Sequence, residues 1–326
     1  MGAFHAAQIP PMDVHGELTT GNAWLLEQLE AARLDRFVIG LSGGVDSAVC
    51  ATWAARALGA ARVTAVAMPY GLLCSSRFPP SAPESLVHAR VVASSLPGMD
   101  YRELDIAPTV DTEAQSTGLA DGLEGSPNDD GLRLALANVK ARVRAVRLRY
   151  FANRLRGLLL GTENKTEHYL GYFTIGGDEE SDLELLGNYL KAEVFAVARA
   201  LSVPREIIDK APSADLWTGQ TDEGELGFTY AEADHVLHLA NCETEFPPDV
   251  AAKCAIAPEV AEQVLSRVRA TAFKRAAKPV FPRAGSRYHA RNTARSSAVI
   301  PAFPARGDMT ERTPDRCVSP SACPTS

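Results

Sequence analysis

The 326-residue chain has no apolar run approaching the roughly 18–20 residues a membrane-spanning helix needs. Its N-terminus has no basic stretch leading into an apolar core. A membrane protein or a signal-led secreted protein is therefore not expected, and the expected location is the cytoplasm. The six cysteines, at 50, 74, 242, 254, 317 and 323, form no CxxC pair and no Cys/His cluster with zinc spacing. They read as reduced, incidental thiols. Positive charge is also short: 33 Lys and Arg against 40 Asp and Glu leave a net −7, which gives no overall electrostatic footprint for nucleic acid.

What is present is ordinary for a soluble globular protein: 46% hydrophobic and 22% charged residues. That excludes a mainly disordered or collagen-like chain. The length suits two domains, or one large α/β domain with extensions. Charge is unevenly spread. Residues 283–326 carry seven Arg against Asp308, Glu311 and Asp315, so this segment is basic while the rest is strongly acidic. It is rich in Pro, Ser and Ala, lacks apolar periodicity and is expected to be a disordered basic tail. It reads as an inert extension or as an arm for an acidic partner.

Residues 1–17 are expected to be a flexible N-terminus, with Pro10-Pro11 breaking any helix. Leu18, Leu25, Leu26, Leu29 and Leu34 then mark an amphipathic helix. Phe37 to Leu41 is an apolar run of the length of a buried parallel strand. Ser42-Gly43-Gly44-Val45-Asp46-Ser47 and a helix from Ala48 to Leu58 follow. Further strands are expected at Arg62–Met68, Tyr101–Ile106 and Gly157–Thr162, with helices at about 83–95 and 132–155. Polar loops are expected at 70–85 and 118–131. Strands alternating with helices predict the α/β class, a doubly wound, Rossmann-like parallel sheet with flanking helices.

In such sheets ligands sit beyond the carboxyl ends of the strands, at the start of the following helices. The first such end is Ser42–Ser47. Its two glycines allow a tight turn and close backbone approach to a ligand. Backbone N–H groups at the helix start favour an anion, and Ser42 and Ser47 add hydroxyl donors. Asp46 would repel a phosphate unless a cation lay between them, so it implies Mg²⁺. The segment is not a Walker A loop, because no lysine precedes Ser47.

SGGVDS after a strand resembles the pyrophosphate loop of the ATP pyrophosphatase superfamily, whose members adenylate a substrate oxygen and release pyrophosphate. Three further blocks narrow the resemblance. Gly161-Thr162-Glu163-Asn164-Lys165-Thr166-Glu167, followed by Gly171-Tyr172-Phe173-Thr174, is similar to the GTxNKxE…GYFT block of NAD synthetases. Ala211 to Trp217 with Gly219-Gln220-Thr221-Asp222-Glu223 resembles their PSADLWxGQTDE loop. Asn138-Val139-Lys140-Ala141-Arg142-Val143-Arg144 resembles their NxxARxR helix. The resemblance covers about residues 18–282, and no amidase-like domain precedes it, so it points to the ammonia-dependent form.

This resemblance implies the adenine nucleotide alpha-hydrolase version of the fold and the ATP-dependent amidation of deamido-NAD through an adenylated carboxylate. It assigns the ATP phosphates to Gly43, Gly44 and Ser47, with Ser42, Asp46, Thr162, Lys191 and Ser213 as further ATP contacts. Mg²⁺ falls to Asp46 and Glu167. Asp46, Ser47, Glu167 and Lys191 form the implied catalytic set. Arg142, Asp182 and Lys274 would contact deamido-NAD. Without the motif, Glu167 would read as a helix-dipole partner, Thr162 as a helix cap and the crowd of arginines around Arg142 as a solvated face. The implied assembly is a homodimer, with the helix at 132–155 as interface, and the implied lids are 70–85 and 209–227. No nucleic-acid or membrane partner is expected.

The chain departs from the family pattern in one loop. Where the family reads GYFTKYGDGGxD, this chain has Ile175 for the lysine and Glu179 and Glu180 for two glycines. Phe273 likewise replaces the histidine before Lys274. Less positive and more negative charge where a dinucleotide should lie leaves a second reading open, an amide ligase for another carboxylic acid. A third is a catalytically silent nucleotide-binding protein.

Overall fold

The structure is a computed structural model, which describes residues 9, 11–126, 129–213, 221–240 and 256–276. Five parallel strands form the sheet: β1 (Arg36–Gly40), β2 (Val63–Ala67), β3 (Asp100–Glu103), β4 (Gly157–Gly161) and β5 (Leu183–Glu184), in the order β3-β2-β1-β4-β5. The connection β1–β2 carries α2 (Val45–Leu58), and β2–β3 carries α3 (Pro83–Ser95). After β3 the chain runs through α4 (Ala107–Ser116), α5 (Leu119–Gly125) and α6 (Asp130–Leu155), and returns to the other side of β1 as β4. The order therefore reverses between β1 and β4, which opens a crevice at their carboxyl ends.

Consecutive strand residues supply opposite faces, because side chains alternate along a strand. Phe37, Ile39, Ala65 and Leu160 enter a core with α1 (Val14–Ala32), α2 and α8 (Lys191–Ala200). Val38, Val66 and Leu159 enter a second core with α4, α5 and α6. Burial on both faces is why these strands read as continuous apolar runs. A third cluster joins Leu170 of α7 (Lys165–Leu170) to α11 (Tyr230–Leu239) and α12 (Pro258–Ala270). The remaining helices are short: α9 (Arg205–Ile208), α10 (Asp222–Leu226) and α13 (Ala272–Arg275).

The expected doubly wound α/β sheet is the observed one, with three local corrections. Residues 118–131, expected as a loop, contain α5. Gly118, at φ +72°, ends α4, and Ala120 and Leu123 then bury against the second core, so packing overrides the glycine- and aspartate-rich composition. The strand expected to reach Ile106 ends as β3 at Glu103, although Leu104 and Ile106 still donate to Ala67 and Pro69 carbonyls. Helix α1 begins at Val14, inside the segment expected to be flexible, because Asp13 accepts from Gly16 N at 3.1 Å and caps it.

The loop after β2 is stitched down. Asp105 accepts from the N–H groups of Gly71, Leu73 and Ala107 at 2.8–2.9 Å, and Asp111 accepts from Tyr70 Oη and Arg77 N. Ser81 N closes the loop onto Tyr70 O at 2.8 Å. The lid expected at 70–85 is therefore anchored over residues 70–81.

The described residues up to Arg275 form one compact unit. The expected tail at 283–326, residues 1–8 and 10 of the N-terminal segment, and 214–220 of the second expected lid lie outside the described residues. Among the described residues no helix is long and apolar enough to cross a membrane, and Cys50 and Cys74 are free thiols.

Gly43 is the tightest point of the β1–α2 turn. Its φ is +81°, and a Cβ there would lie 2.2 Å from the Ser85 carbonyl oxygen at the start of α3. Gly43→Ala is expected to cost about 2–4 kcal/mol, from left-handed strain plus displacement of α3. Urea unfolding of the two proteins checks this.

Candidate active site

A cavity of about 620 Å³ opens at the carboxyl ends of β1 and β4. Ser42, Gly44, Asp46, Ser47, Thr162, Glu167, Lys191, Ser213 and Lys274 all line it. The β1–α2 turn wraps around its own hydroxyls. Ser42 Oγ lies 3.0 Å from Ser47 Oγ and accepts from Gly44 N at 3.2 Å, while Ser47 Oγ donates to Gly44 O at 3.1 Å and accepts from Ser42 N at 3.2 Å. Helix α2 starts here with Gly44 as N-cap and no side-chain cap bond, so its positive end faces the cavity.

Three segments meet beside this turn. Lys191, the first residue of α8, is 2% exposed, and its Nζ donates to Asp46 Oδ2 at 2.7 Å and to Glu167 Oε1 at 2.9 Å. Asp46 Oδ1 accepts from Asn164 Nδ2 at 2.8 Å. Asn164-Lys165-Thr166-Glu167 forms a capping box, in which Asn164 Oδ1 accepts from Glu167 N and Glu167 Oε2 accepts from Asn164 N. One oxygen of this carboxylate caps α7 and the other accepts from the Lys191 ammonium.

Burial, with the nearby Asp46 charge, pushes the Glu167 carboxyl up to about 8 in spite of Lys191. Burial alone would lower Lys191, but the Asp46 and Glu167 carboxylates outweigh it and hold the ammonium above its ordinary range. Removing the lysine would leave facing buried carboxylates, a loss of about 3–5 kcal/mol. Asp46 Oδ2 and Glu167 Oε1, both hard oxygen donors, turn toward one point, which Lys191 Nζ takes in this structure. That donor set suits a divalent cation completed by phosphate oxygens and water. Among the described residues no group of three or more His, Cys, Asp or Glu is arranged to hold a metal by itself.

The segment after α7 is held by its carbonyls. Lys274 Nζ donates to Gly171 O and Phe173 O at 2.7 and 2.6 Å, Arg267 Nε to Leu170 O at 3.1 Å, and Arg275 Nη1 to Tyr169 O at 2.7 Å. These bonds satisfy the orphan carbonyls at the end of α7. Lys274 therefore lines the cavity with its ammonium already engaged.

Three sequence-derived positions lie elsewhere. Gly43 faces α3, not the cavity. Arg142 is exposed, does not line the cavity, and donates from Nε to Ile175 O at 3.3 Å. Asp182, also outside the lining, accepts from Arg149 Nη1 at 2.5 Å and Leu159 N at 2.7 Å. Arg149 also holds Glu180 at 2.9 Å, so the extra charge at Glu180 has a local counter-ion on α6.

Several cavity residues had no assigned role in the sequence reading. Asn138 accepts from Thr174 Oγ1 at 2.9 Å, Arg144 donates to Met68 O, and Lys210 donates to Ser85 Oγ at 2.9 Å. Asp222 accepts from Tyr172 Oη and Tyr230 Oη at 3.1 and 3.0 Å. Asn138, Arg144, Asn164 and Asp222 all stand inside the quoted motifs, which was the available signal; Lys210 stands just before one. Further acidic groups cluster together, Glu163 and Asp178 in the cavity lining and Glu184 next to Glu163. Asp178 is open to solvent there and accepts from Thr174 N at 2.9 Å, yet crowding by protein raises its carboxyl. Burial raises Glu163 and pushes Glu184 up to about 8.

Glu184 accepts from Ser181 Oγ at 2.6 Å and from Glu163 N at 3.2 Å, an arrangement a glutamine can reproduce by donating to Ser181. Its folded pKa lies above its unfolded value, so the folded state holds the proton longer. Its contribution to stability is full below about pH 4.3 and is lost as pH rises to about 8. Glu184→Gln is therefore expected to gain stability over the wild type between pH 5 and 8, with a constant difference above that. Urea unfolding at pH 5.5, 7 and 8.5 checks the sign.

The comparisons with known proteins agree with this geometry. An NAD synthase family model matches residues 17–278. An NH₃-dependent NAD⁺ synthetase of Methanosarcina acetivorans is 38% identical over 257 residues, covering 79% of this chain and 94% of its own. One from Carboxydothermus hydrogenoformans is 42% identical over 214 residues, covering 66% and 81%. Among solved structures, NMN synthetase from Francisella tularensis superposes with a TM-score of 0.67 at 29% identity, covering 83% of this chain and all of that one. With the pyrophosphate-loop turn, the paired carboxylates and the sheet crevice arranged as described, the chain belongs to the NAD synthase family.

Proposed function

We propose that this chain amidates deamido-NAD with ammonia, splitting ATP into AMP and pyrophosphate, in the cytoplasm. The observation that carries this reading is the convergence of Asp46, Glu167 and Lys191 at the mouth of the β1–α2 turn. The acid's carboxylate oxygen attacks the α-phosphate of ATP and pyrophosphate leaves. Ammonia then attacks the acyl carbon of the adenylate, AMP leaves with the bonding electron pair, and the new amide nitrogen gives up one proton to water. The chain's task is to align these groups, neutralise charge and exclude water.

Ser42, Gly44 and Ser47 offer hydroxyl and backbone donors to the departing pyrophosphate at the positive end of α2, with Gly43 supplying the turn. Lys191 stabilises negative charge leaving the α-phosphate. Thr162 and Ser213 flank the nucleotide. Of the three residues that the family resemblance assigns to the acid, Lys274 lines the cavity and acts through the 171–173 backbone it fastens, whereas Arg142 and Asp182 lie outside the lining and would reach the acid only by turning toward it. Asp46 and Glu167 would hold Mg²⁺, which would neutralise the ATP phosphates. Among the described residues the cavity wall carries seven carboxyl residues against five basic ones, so these cations leave a polyanion's charge uncompensated.

We further propose a homodimer through α6. Val146 and Tyr150 are 70% and 60% exposed one helical turn apart, and Leu134 on the same helix is 53% exposed and reaches the cavity wall. Val146→Glu is expected to convert a dimer to a monomer in light scattering behind size exclusion. An unchanged dimer would place the interface elsewhere.

A second reading keeps the chemistry and changes the acid. Ile175, Glu179 and Glu180 replace the lysine and glycines of the family loop, and the similarity to an NMN synthetase makes the mononucleotide acid the natural competitor. The deciding assay follows AMP, pyrophosphate and amide product with ATP, Mg²⁺ and ammonium, supplied with deamido-NAD, nicotinate mononucleotide or no acid. Turnover that requires deamido-NAD and yields NAD is expected. Turnover only with the mononucleotide would shift the assignment, and none with any acid would overturn adenylation. Asp46→Ala is expected to lower turnover by about 10²–10³-fold.

A further inference from the structure

Behind the cavity, a second polar contact ties together the helices that carry Glu167 and Lys191. Helix α8 starts after Leu190, whose side chain has no acceptor, yet its first N–H groups are satisfied. Lys191 N donates to Thr166 Oγ1 at 3.0 Å, and Ala192 N donates to Asp234 Oδ2 at 2.7 Å. Thr166 Oγ1 in turn donates to Asp234 Oδ1. Thr166 and Asp234 are both wholly buried, and neither lines the cavity. The cap that most helices carry on their own N-cap residue is here supplied by α7 and α11 together.

The positions of these residues give the cap its consequence. Thr166 immediately precedes Glu167, and Lys191 is the residue whose backbone it accepts. One hydroxyl therefore locks the backbones of the two helices whose side chains meet at 2.9 Å in the cavity. Asp234 sits on a helix otherwise committed to apolar packing, beside Ala233, Val236 and Leu237. A buried carboxylate is expensive to desolvate, and burial pushes this one up to about 6 even with its donors in place. An apolar residue here would leave the Ala192 N–H and the Thr166 hydroxyl buried without their acceptor, so the carboxylate serves as an acceptor pair rather than as filling.

We propose that the Thr166–Asp234 pair is a positioning device that sets Lys191 against Glu167, and so fixes the cation position used in the adenylation step. The kinetic half of this inference rests on the function proposed above. The geometric half does not.

The test uses the full-length chain with Thr166→Val, which keeps the side-chain shape and removes the hydroxyl, and Thr166→Ser, which restores it. In lysine-labelled, ligand-free protein the ordered Lys191 ammonium is followed as a slowly exchanging ¹⁵N–¹H signal, assigned by its loss in Lys191→Met. Thr166→Val is expected to broaden or abolish that signal and to lower kcat by about 10–10²-fold, with KM for the acid within about twofold. Thr166→Ser is expected to restore both. A merely structural role would lower the folded fraction and leave the signal and the kcat of the folded protein unchanged.

Asp234→Asn is the second variant should Thr166→Val fail to fold, with the same signal loss and fall in kcat expected. An unchanged Lys191 signal, unchanged kcat per folded molecule, or serine as damaging as valine would each overturn the proposal. Absence of turnover in the wild type with every acid would instead sink the functional reading. The ammonium signal would then still decide whether the pair positions Lys191.

Discussion

The site depends on a single buried ammonium shared by two carboxylates. Asp46, Glu167 and Lys191 come from α2, α7 and α8, which are far apart in sequence. The lysine offsets the repulsion between the two half-buried carboxylates, and a lysine only 2% exposed would be costly without them. The local helix starts supply the rest of the precision. A glycine turn begins α2, a capping box begins α7, and a cap borrowed from two other helices begins α8. Each start turns a side chain or an N–H group toward the β1–β4 crevice, where the sheet order reverses.

Charge is handled locally throughout the rest of the cavity. Glu180, which breaks the family loop pattern, is matched by Arg149 on α6, a residue that also holds Asp182. The repulsion expected from sequence is therefore partly cancelled before any substrate arrives. The C-terminal helices act in a related way, with Arg267, Lys274 and Arg275 spending their donors on backbone carbonyls between Tyr169 and Phe173. These contacts fasten the GYFT segment to the rest of the fold. They also bring Lys274 within reach of the Asp178 and Glu163 charges.

Much of the fold was legible because its signals are local. Apolar runs announced β1, β2 and β4, and the SGGVDS turn announced the crevice, since a strand, two glycines and a helix start leave little conformational choice. What escaped was decided by packing. Helix α5 forms within a stretch rich in glycine and aspartate because Ala120 and Leu123 find a core to enter. The loop at 70–81 is pinned by Asp105 and Asp111, which reach it from the end of β3 and from α4. Arg142 and Asp182 carry the same limitation, as a motif gives their identity but not which way a guanidinium or carboxylate turns.

By itself, the sequence determined the α/β class and the position of the phosphate-type turn, while the grouping of Asp46 with Glu167 and Lys191 came from the resemblance to a family. Periodicity, glycine placement and motif spacing are properties of short segments, so they survive in a linear reading. Only the tertiary structure decided that Lys191 bridges the two carboxylates, that Glu180 has a partner in Arg149, and that Thr166 and Asp234 cap a helix to which neither belongs. Those contacts join residues 24 to 145 positions apart, and their energies arise from burial and donor–acceptor geometry that exist only once the chain has closed around them.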